Sequence, residues 1–285
     1  MPIRLIPASN GEDNAPVVRL SEFNHCHDPA TGQFCSDPIS HETIARLHAI
    51  GEDDTIPESE HAQRQFEELQ RREPGLIAAA QALIAKGQQA FPEFSEAMQG
   101  MAKSLGFSLH TNIESRDILE RDTDWVVVGP VKGLKRTSVK AALDYGGDVN
   151  QVKDIPRGTI AVRDAQGMVR SLQQLADSAE IVNIKNRVST PMASGYRDLN
   201  VIVRMPRSRM LAEIQVIAKP VLEAKMTLGH QLYQAMRGMK ESSPRYRRLL
   251  QQQVDLYNSA WAKVAGAATI SLSLAGLIPK LRGGV

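Results

Sequence analysis

Two apolar runs flank a Pro/Arg-containing turn in SGYRDLNVIVRMPRSRMLAEIQVIAKP, Ser194 to Pro220. The pattern predicts two strands joined as a hairpin. The second run sets Glu213 and Gln215 among Leu211, Ile214, Val216 and Ile217. Period two puts Glu213 and Gln215 on one face and Ile214 and Val216 on the other. A solvent-facing strand carries a central carboxylate at no cost; a catalytic strand carries one to hold a metal. Just upstream, Gly195 permits an unusual backbone before the first strand. Tyr196 offers either a packed ring or a platform for a base.

Working outward, EIVNIKNRV reads as a strand alternating Ile181, Asn183, Lys185 and Arg187 against Val182, Ile184 and Val188. GTIAVR (158–163) is a strand rich in β-branched residues. AQGMVRSLQQLAD and LKRTSVKAALDYGG read as helices, the second stopping at Gly146–Gly147. Pro220 opens a long helix through PVLEAKMTLGHQLYQAMRGM, and WVVVGP is a short apolar run ending in a breaker. This order predicts an α+β fold, a mixed sheet flanked by helices, with helical N- and C-terminal extensions. Upstream, three helical patterns are separated at Pro74–Gly75 and Pro92, where Pro92 suits a first helical turn. A further short helix is expected at SHETIARLHAI, capped by Ser40, with Ile44, Leu47 and Ile50 on one face. The expected divisions are an extended or weakly ordered arm over 1–58, a helical segment over 59–106, the sheet domain over 107–240, and a C-terminal helix with an apolar tail over 241–285.

The 285 residues are 42% hydrophobic and 23% charged, an ordinary globular composition. The net charge of +2 conceals an asymmetry. Residues 1–75 carry 6 Lys/Arg against 14 Asp/Glu, and the remainder 28 against 18. A basic remainder suits a phosphate-bearing ligand. Two cysteines exclude a disulfide framework. MPIRLIPASNGEDN has no apolar segment of the signal-peptide kind. Val264–Ile278 is an uncharged run of 15 residues, shorter than the roughly 20 of a spanning helix. It is expected to be a buried or amphipathic terminal helix without membrane contact.

Asp154 stands just before a strand in QVKDIPRGTIAV, and Glu213 stands within one. If those strands are neighbours, both carboxylates converge on one Mg²⁺, which takes one or two carboxylates together with substrate phosphates and water. Lys132, Lys135, Arg136, Lys140, Arg157, Lys185 and Arg187 surround them in sequence and suit a triphosphate. The alternative is that each carboxylate caps an element or pairs with a surface arginine. HCHDPATGQFCS gathers His25, Cys26, His27 and Cys35, with His41 nearby, at a spacing that matches no standard zinc finger. PRYRRLL presents Arg245, Arg247 and Arg248, either a solvated helix start or an RNA-facing patch.

KDIPRGTIAV, KNRVSTPMASGYRDLNVIV, AEIQVI and LEAKMTLGHQLYQ, in that order and spacing, resemble the synthetase domain of the RelA/SpoT family. The resemblance covers about residues 107–240. It implies a nucleotidyltransferase-like fold and transfer of the β,γ-pyrophosphate of ATP to the 3′-hydroxyl of a nucleotide or tRNA acceptor. It implies that Asp154 and Glu213 hold Mg²⁺ and that Glu213 assists deprotonation of the hydroxyl. Tyr196 would stack on the acceptor base, and Lys132, Lys135, Arg136 and Lys140 would hold donor phosphates. Gln215 and His230 would be supporting polar groups. RDLN departs from the family's usual Ser-Leu-His ending, placing Asn200 at the histidine position, and Arg157 follows Asp154 more closely than in the housekeeping enzymes. These departures resemble a divergent branch of toxins, prophage proteins and polymorphic effectors. No hydrolase-type His-Asp pattern lies upstream, so no partner hydrolase domain is expected. DPATGQF resembles a short element of phage head and portal-associated proteins. It implies an alternative, a virion-associated protein reusing an inactive synthetase fold, with the arm docked on a phage structural protein. The expected location is cytoplasmic, or the virion for a phage-encoded protein.

Overall fold

The structure, a computed structural model, describes residues 39–52, 58–111, 123–236, 239 and 241–282. The His25/Cys26/His27/Cys35 group and the arm proper lie outside these residues.

Six strands form one mixed sheet: β1 (Ser108–His110), β2 (Trp125–Val128), β3 (Arg157–Val162), β4 (Glu180–Asn186), β5 (Leu199–Arg204) and β6 (Leu211–Ala218), in the order β1-β2-β3-β6-β5-β4. β5 and β6 are the expected antiparallel hairpin. β3 runs parallel to β6, with Arg157 opposite Glu213 and Thr159 opposite Gln215. β4 closes the far edge against β5. β1 and β2 add a parallel pair on the other side, with β2 antiparallel to β3.

The helices are α1 (His41–Glu52), α2 (Glu58–Arg72), α3 (Pro74–Leu105), α4 (Leu134–Tyr145), α5 (Ala165–Ser178), α6 (Lys219–Ala224), α7 (His230–Met236), α8 (Pro244–Ala262) and α9 (Ile270–Arg282). A π-helical turn, Lys225–Gly229, joins α6 to α7. The main core includes Val126, Ile160, Leu172, Val201, Ile214, Val216 and Leu274. A second core gathers Ile44 and Leu47 of α1, Leu69 of α2, Leu76, Ile77 and Ala80 of α3, Val139 and Ala142 of α4, and Ile155. The Ser40 cap is present, its Oγ accepting from the Thr43 amide at 3.1 Å. Residues 39–52 are therefore packed into the fold, although they fall within the span expected for the extended arm.

Two local expectations are corrected. The expected helix break at Pro92 is absent: α3 is one helix of 32 residues with Pro92 inside it. An internal proline costs about 3 kcal/mol. Phe94 and Met98 on its C-terminal side and Leu76, Ile77 and Ala80 on its N-terminal side are all buried, in different cores. At about 1.5–3 kcal/mol for each large apolar side chain, that burial exceeds the cost. In β4 the simple alternation fails at a bulge between Ile181 and Asn183. Ile181 pairs with Val203 and packs on the core, and Val182 is exposed.

Glu93 of α3 anchors the β5–β6 turn, accepting the Arg207 amide at 2.7 Å and the Ser208 amide at 3.0 Å. The apolar C-terminal run forms α9, which buries Ile270, Leu274 and Ile278 at four-residue spacing and leaves Leu272 78% exposed. Among the described residues no helix is long and apolar enough to cross a membrane.

Candidate active site

Asp154 sits in the approach to β3, where Ile155 and Arg157 are bonded to a neighbouring segment. Lys132 N donates to Ile155 O at 3.1 Å, and Gly129 N to Arg157 O at 2.9 Å. This brings Lys132 beside Asp154, and α4 brings Lys140. Lys132 Nζ donates to Asp154 Oδ2 at 2.8 Å and Lys140 Nζ to the same oxygen at 3.1 Å. Among the described residues, Asp154 Oδ1 is buried without a hydrogen-bond partner. Burial pushes the Asp154 carboxyl up, but the two ammonium groups outweigh it and hold it below the usual range. Burial pulls Lys132 down, with Asp154 opposing. Lys140 is also desolvated, yet Asp154, Tyr145 and Glu213 carry it above the usual value.

Glu213 stands opposite Arg157, which is three residues beyond Asp154. Its amide donates to Pro156 O at 3.1 Å, so its backbone joins the chain two residues beyond Asp154. Arg157, opposite it on β3, is half-buried. Among the described residues the Glu213 carboxylate makes no hydrogen bond or ion pair. Two carboxylates with free oxygen capacity beside three cations fit Mg²⁺, which completes its shell with phosphate and water. No cluster of three or more His, Cys, Asp or Glu side chains suited to a metal exists among the described residues.

A second charged group lies on the same sheet face, around Asp198, which was not singled out from the sequence. Asp198, 0% exposed, accepts Arg187 Nη1 at 2.9 Å on Oδ1 and the Tyr196 hydroxyl at 3.1 Å on Oδ2. Gln215 Nε2 also donates to Oδ2 through a short contact. The other end of that amide, Gln215 Oε1, accepts Lys225 Nζ at 2.8 Å. Lys225 comes from the π turn, and its Nζ stands 5.6 Å from the centroid of the Tyr196 ring.

α8 braces this group. Gln253 Nε2 donates to Gly229 O at 2.8 Å, and Tyr257 meets Tyr196 edge-on at 5.2 Å. A Cβ on Gly229 would stand 2.3 Å from the Tyr257 hydroxyl, so the π turn requires glycine there. Gly195 holds φ of +78°, the left-handed conformation expected before Tyr196. Burial pushes the Tyr257 hydroxyl up to about 12. Burial and then Asp198 push Tyr196 well above its usual value.

Among the residues singled out from the sequence, Asp154, Lys132 and Lys140 come together, with Glu213 and Arg157 adjacent. Arg187, Tyr196 and Gln215 join the second group. Lys135 instead reaches Gln63 of α2 at 3.0 Å, and Arg136 is exposed. Lys185 is exposed at the β4 edge opposite Asn200, which itself pairs with Gln215. His230 is exposed on α7, 3.1 Å from Gln234 and stacked on Tyr233. Tyr196 is only 8% exposed, so its ring is not an open platform for a base.

No protein-family model matches the chain, and no curated protein matches it. Solved structures do. The Type VI effector Tas1, in complex with its immunity protein, matches with a TM-score of 0.46 and 19% identity, over 63% of this chain and 95% of that one. Small alarmone synthetase 1 from Bacillus subtilis, bound to its product pppGpp, matches with a TM-score of 0.48 and 15% identity, over 66% and 94%. The protein smu.1046c from Streptococcus mutans UA159 matches with a TM-score of 0.44 and 20% identity, over 61% and 89%.

Proposed function

We propose that this chain transfers pyrophosphate from ATP to the 3′-hydroxyl of a nucleotide or tRNA acceptor. The observation that carries the reading is the pairing of Asp154 and Glu213. Among the described residues Asp154 has a buried oxygen without a partner and Glu213 has no ion pair; the Glu213 amide bonds Pro156 O, two residues beyond Asp154, and Lys132, Lys140 and Arg157 stand beside them. In the reaction a bond forms between the acceptor 3′-oxygen and the β-phosphorus of ATP. The bond from that phosphorus to the α,β-bridging oxygen breaks, and AMP leaves. Glu213 takes the hydroxyl proton. Lys132, Lys140 and Arg157 neutralise the donor phosphates, as phosphoryl-type transfer demands. Mg²⁺, held by Asp154 and Glu213, supplies further neutralisation of the phosphate charge when bound. Lys135, Arg136, Lys185 and His230 lie outside this arrangement, and none is needed for it.

The test is incubation of the protein with labelled ATP, Mg²⁺ and, separately, GDP, GTP, AMP and tRNA. A 3′-pyrophosphorylated product from one acceptor, reduced by orders of magnitude in Glu213→Ala, is the expected result. No product from any acceptor, with the variant indistinguishable from wild type, overturns the reading. We further propose a growth-inhibiting or phage-encoded role, supported by the RDLN and Arg157 departures. Expression of wild type should arrest bacterial growth while Glu213→Ala does not. The alternative of a virion-associated protein rests on the acidic arm, on the DPATGQF likeness, which lies outside the described residues, and on the apolar tail.

A further inference from the structure

Lys225 is a cation on the Glu213 face of the sheet that the transfer chemistry leaves unused. Asp198 and Arg187 offset each other through a 2.9 Å ion pair. Among the described residues, the positive charge of Lys225 therefore has no dedicated carboxylate. Its ammonium has three donors, one spent on Gln215, and the other two have no protein acceptor among the described residues. Burial pulls its pKa down; Asp198 and Glu213 oppose this, and Arg187 and Arg157 add to it. The group thus sits in a half-buried position where an anion is favoured.

Three features hold it there. The π turn sets its direction, and such turns are frequent at functional sites. Gln215 is fixed at its other end by Asp198, so the amide presents its oxygen to Lys225. Tyr196, whose hydroxyl is also tied to Asp198, supplies the ring beneath. Glu213 lies two residues before Gln215 on the same face of β6, between this group and the Asp154 group. The sheet face therefore carries two cationic places with a carboxylate between them.

We infer that Lys225 selects the acceptor, its ammonium taking a phosphate oxygen of a nucleotide placed across Glu213 from the donor. The inference rests on the transfer reading for the identity of the two ligands. Lys225 is half-buried and Tyr196 only 8% exposed, so the ammonium is the more accessible of the two. Discrimination therefore falls on the acceptor's phosphate more than on base stacking.

The test is calorimetric. The donor place is filled with α,β-methylene-ATP, and guanosine, GDP, adenosine and ADP are titrated into wild type, Lys225→Met, Lys225→Gln and Lys225→Arg. Gln keeps a donor to Gln215 without the charge, and thermal melting identifies any variant that fails to fold. At least one diphosphate should bind wild type more tightly than its nucleoside. The Met and Gln variants should lose about tenfold or more of that diphosphate affinity, in keeping with a charge-assisted hydrogen bond. Nucleoside and α,β-methylene-ATP affinities should stay unchanged, and Arg should retain most of the diphosphate affinity. Equal loss for nucleoside and diphosphate, no loss in folded Met or Gln variants, or no diphosphate preference in wild type overturns it. Binding separates this inference from the transfer reading. Lys225-dependent diphosphate binding without any product would sink the chemistry and leave the phosphate place standing.

Discussion

Asp154 holds two ammonium groups on one oxygen and keeps the other free of protein donors. It therefore has a structural role and, in the proposed reaction, a chemical one that substitutions can separate. Lys132 is 6% exposed, and removing its counter-charge leaves a buried cation uncompensated. Asp154→Ala should cost about 3–5 kcal/mol in denaturant unfolding and abolish transfer. Adding Lys132→Met should recover much of the stability and none of the activity. Asp154, Glu213, Lys132 and Lys140 were legible in the sequence because they fall at a strand start, within a strand, and just before or on a helix beside them. Asp198 was not. In RDLN it reads as a polar residue before a strand, and its partners Arg187 and Gln215 are fixed only by the β4–β5–β6 register. Lys225 was missed for another reason. A regular helix through residues 219–236 gives no ground for choosing it, and only the π turn and Gln215 do. Tyr196 was singled out as a stacking ring, but its burial depends on Tyr257 of α8, more than 60 positions along the chain.

Among the elements, the hairpin β5–β6 was the most plainly written, since two period-two runs flank a Pro-containing turn. What the sequence pattern could not show is how that turn is held. Glu93 reaches it from α3 and accepts two backbone amides. Glutamine can accept one of these but turns an N–H towards the other, so Glu93→Gln should cost about 1–3 kcal/mol at neutral pH. The sign of its pH dependence follows from the carboxyl. Burial raises it, but the Ser208 and Arg207 hydrogen bonds prevail and hold it below 4.5. The contribution is therefore full above pH 4.5 and lost as pH falls through the lowered value. Unfolding curves from pH 7 to pH 2 should show a shallower acid decline for the variant than for wild type. The Pro92 break and the β4 alternation failed for a shared reason: tertiary packing overrode local preference. A proline is tolerated inside α3 because the helix packs in two cores, and a bulge in β4 turns Ile181 inward.

At the scale of the molecule, α3 spans both cores, and the C-terminal helices complete the site rather than extend from it. Gln253 and Tyr257 of α8 brace the π turn and Tyr196, and α9 covers the main core with Ile270, Leu274 and Ile278. The sequence pattern separates residues 241–285 as an extension because helices after a Ser-Pro stop carry no sign of where they dock. A chain ending at residue 240 should accordingly lose cooperative thermal unfolding, whereas a detachable extension would leave it intact. The overall α+β order was legible because each strand and helix has its own period and stop, and the parallel β3–β6 pairing was not, because it is set by long-range contact. That pairing sets Glu213 opposite Arg157, beside the segment that carries Asp154, and the proposed chemistry rests on it. The most direct measurement follows the label of ATP carried separately at the α-, β- and γ-phosphorus into the acceptor product. Transfer of both β and γ together, with α leaving in AMP and all transfer lost in Glu213→Ala, is the result this account predicts. Transfer of γ alone, transfer of α, or incorporation of no label into any acceptor would contradict it.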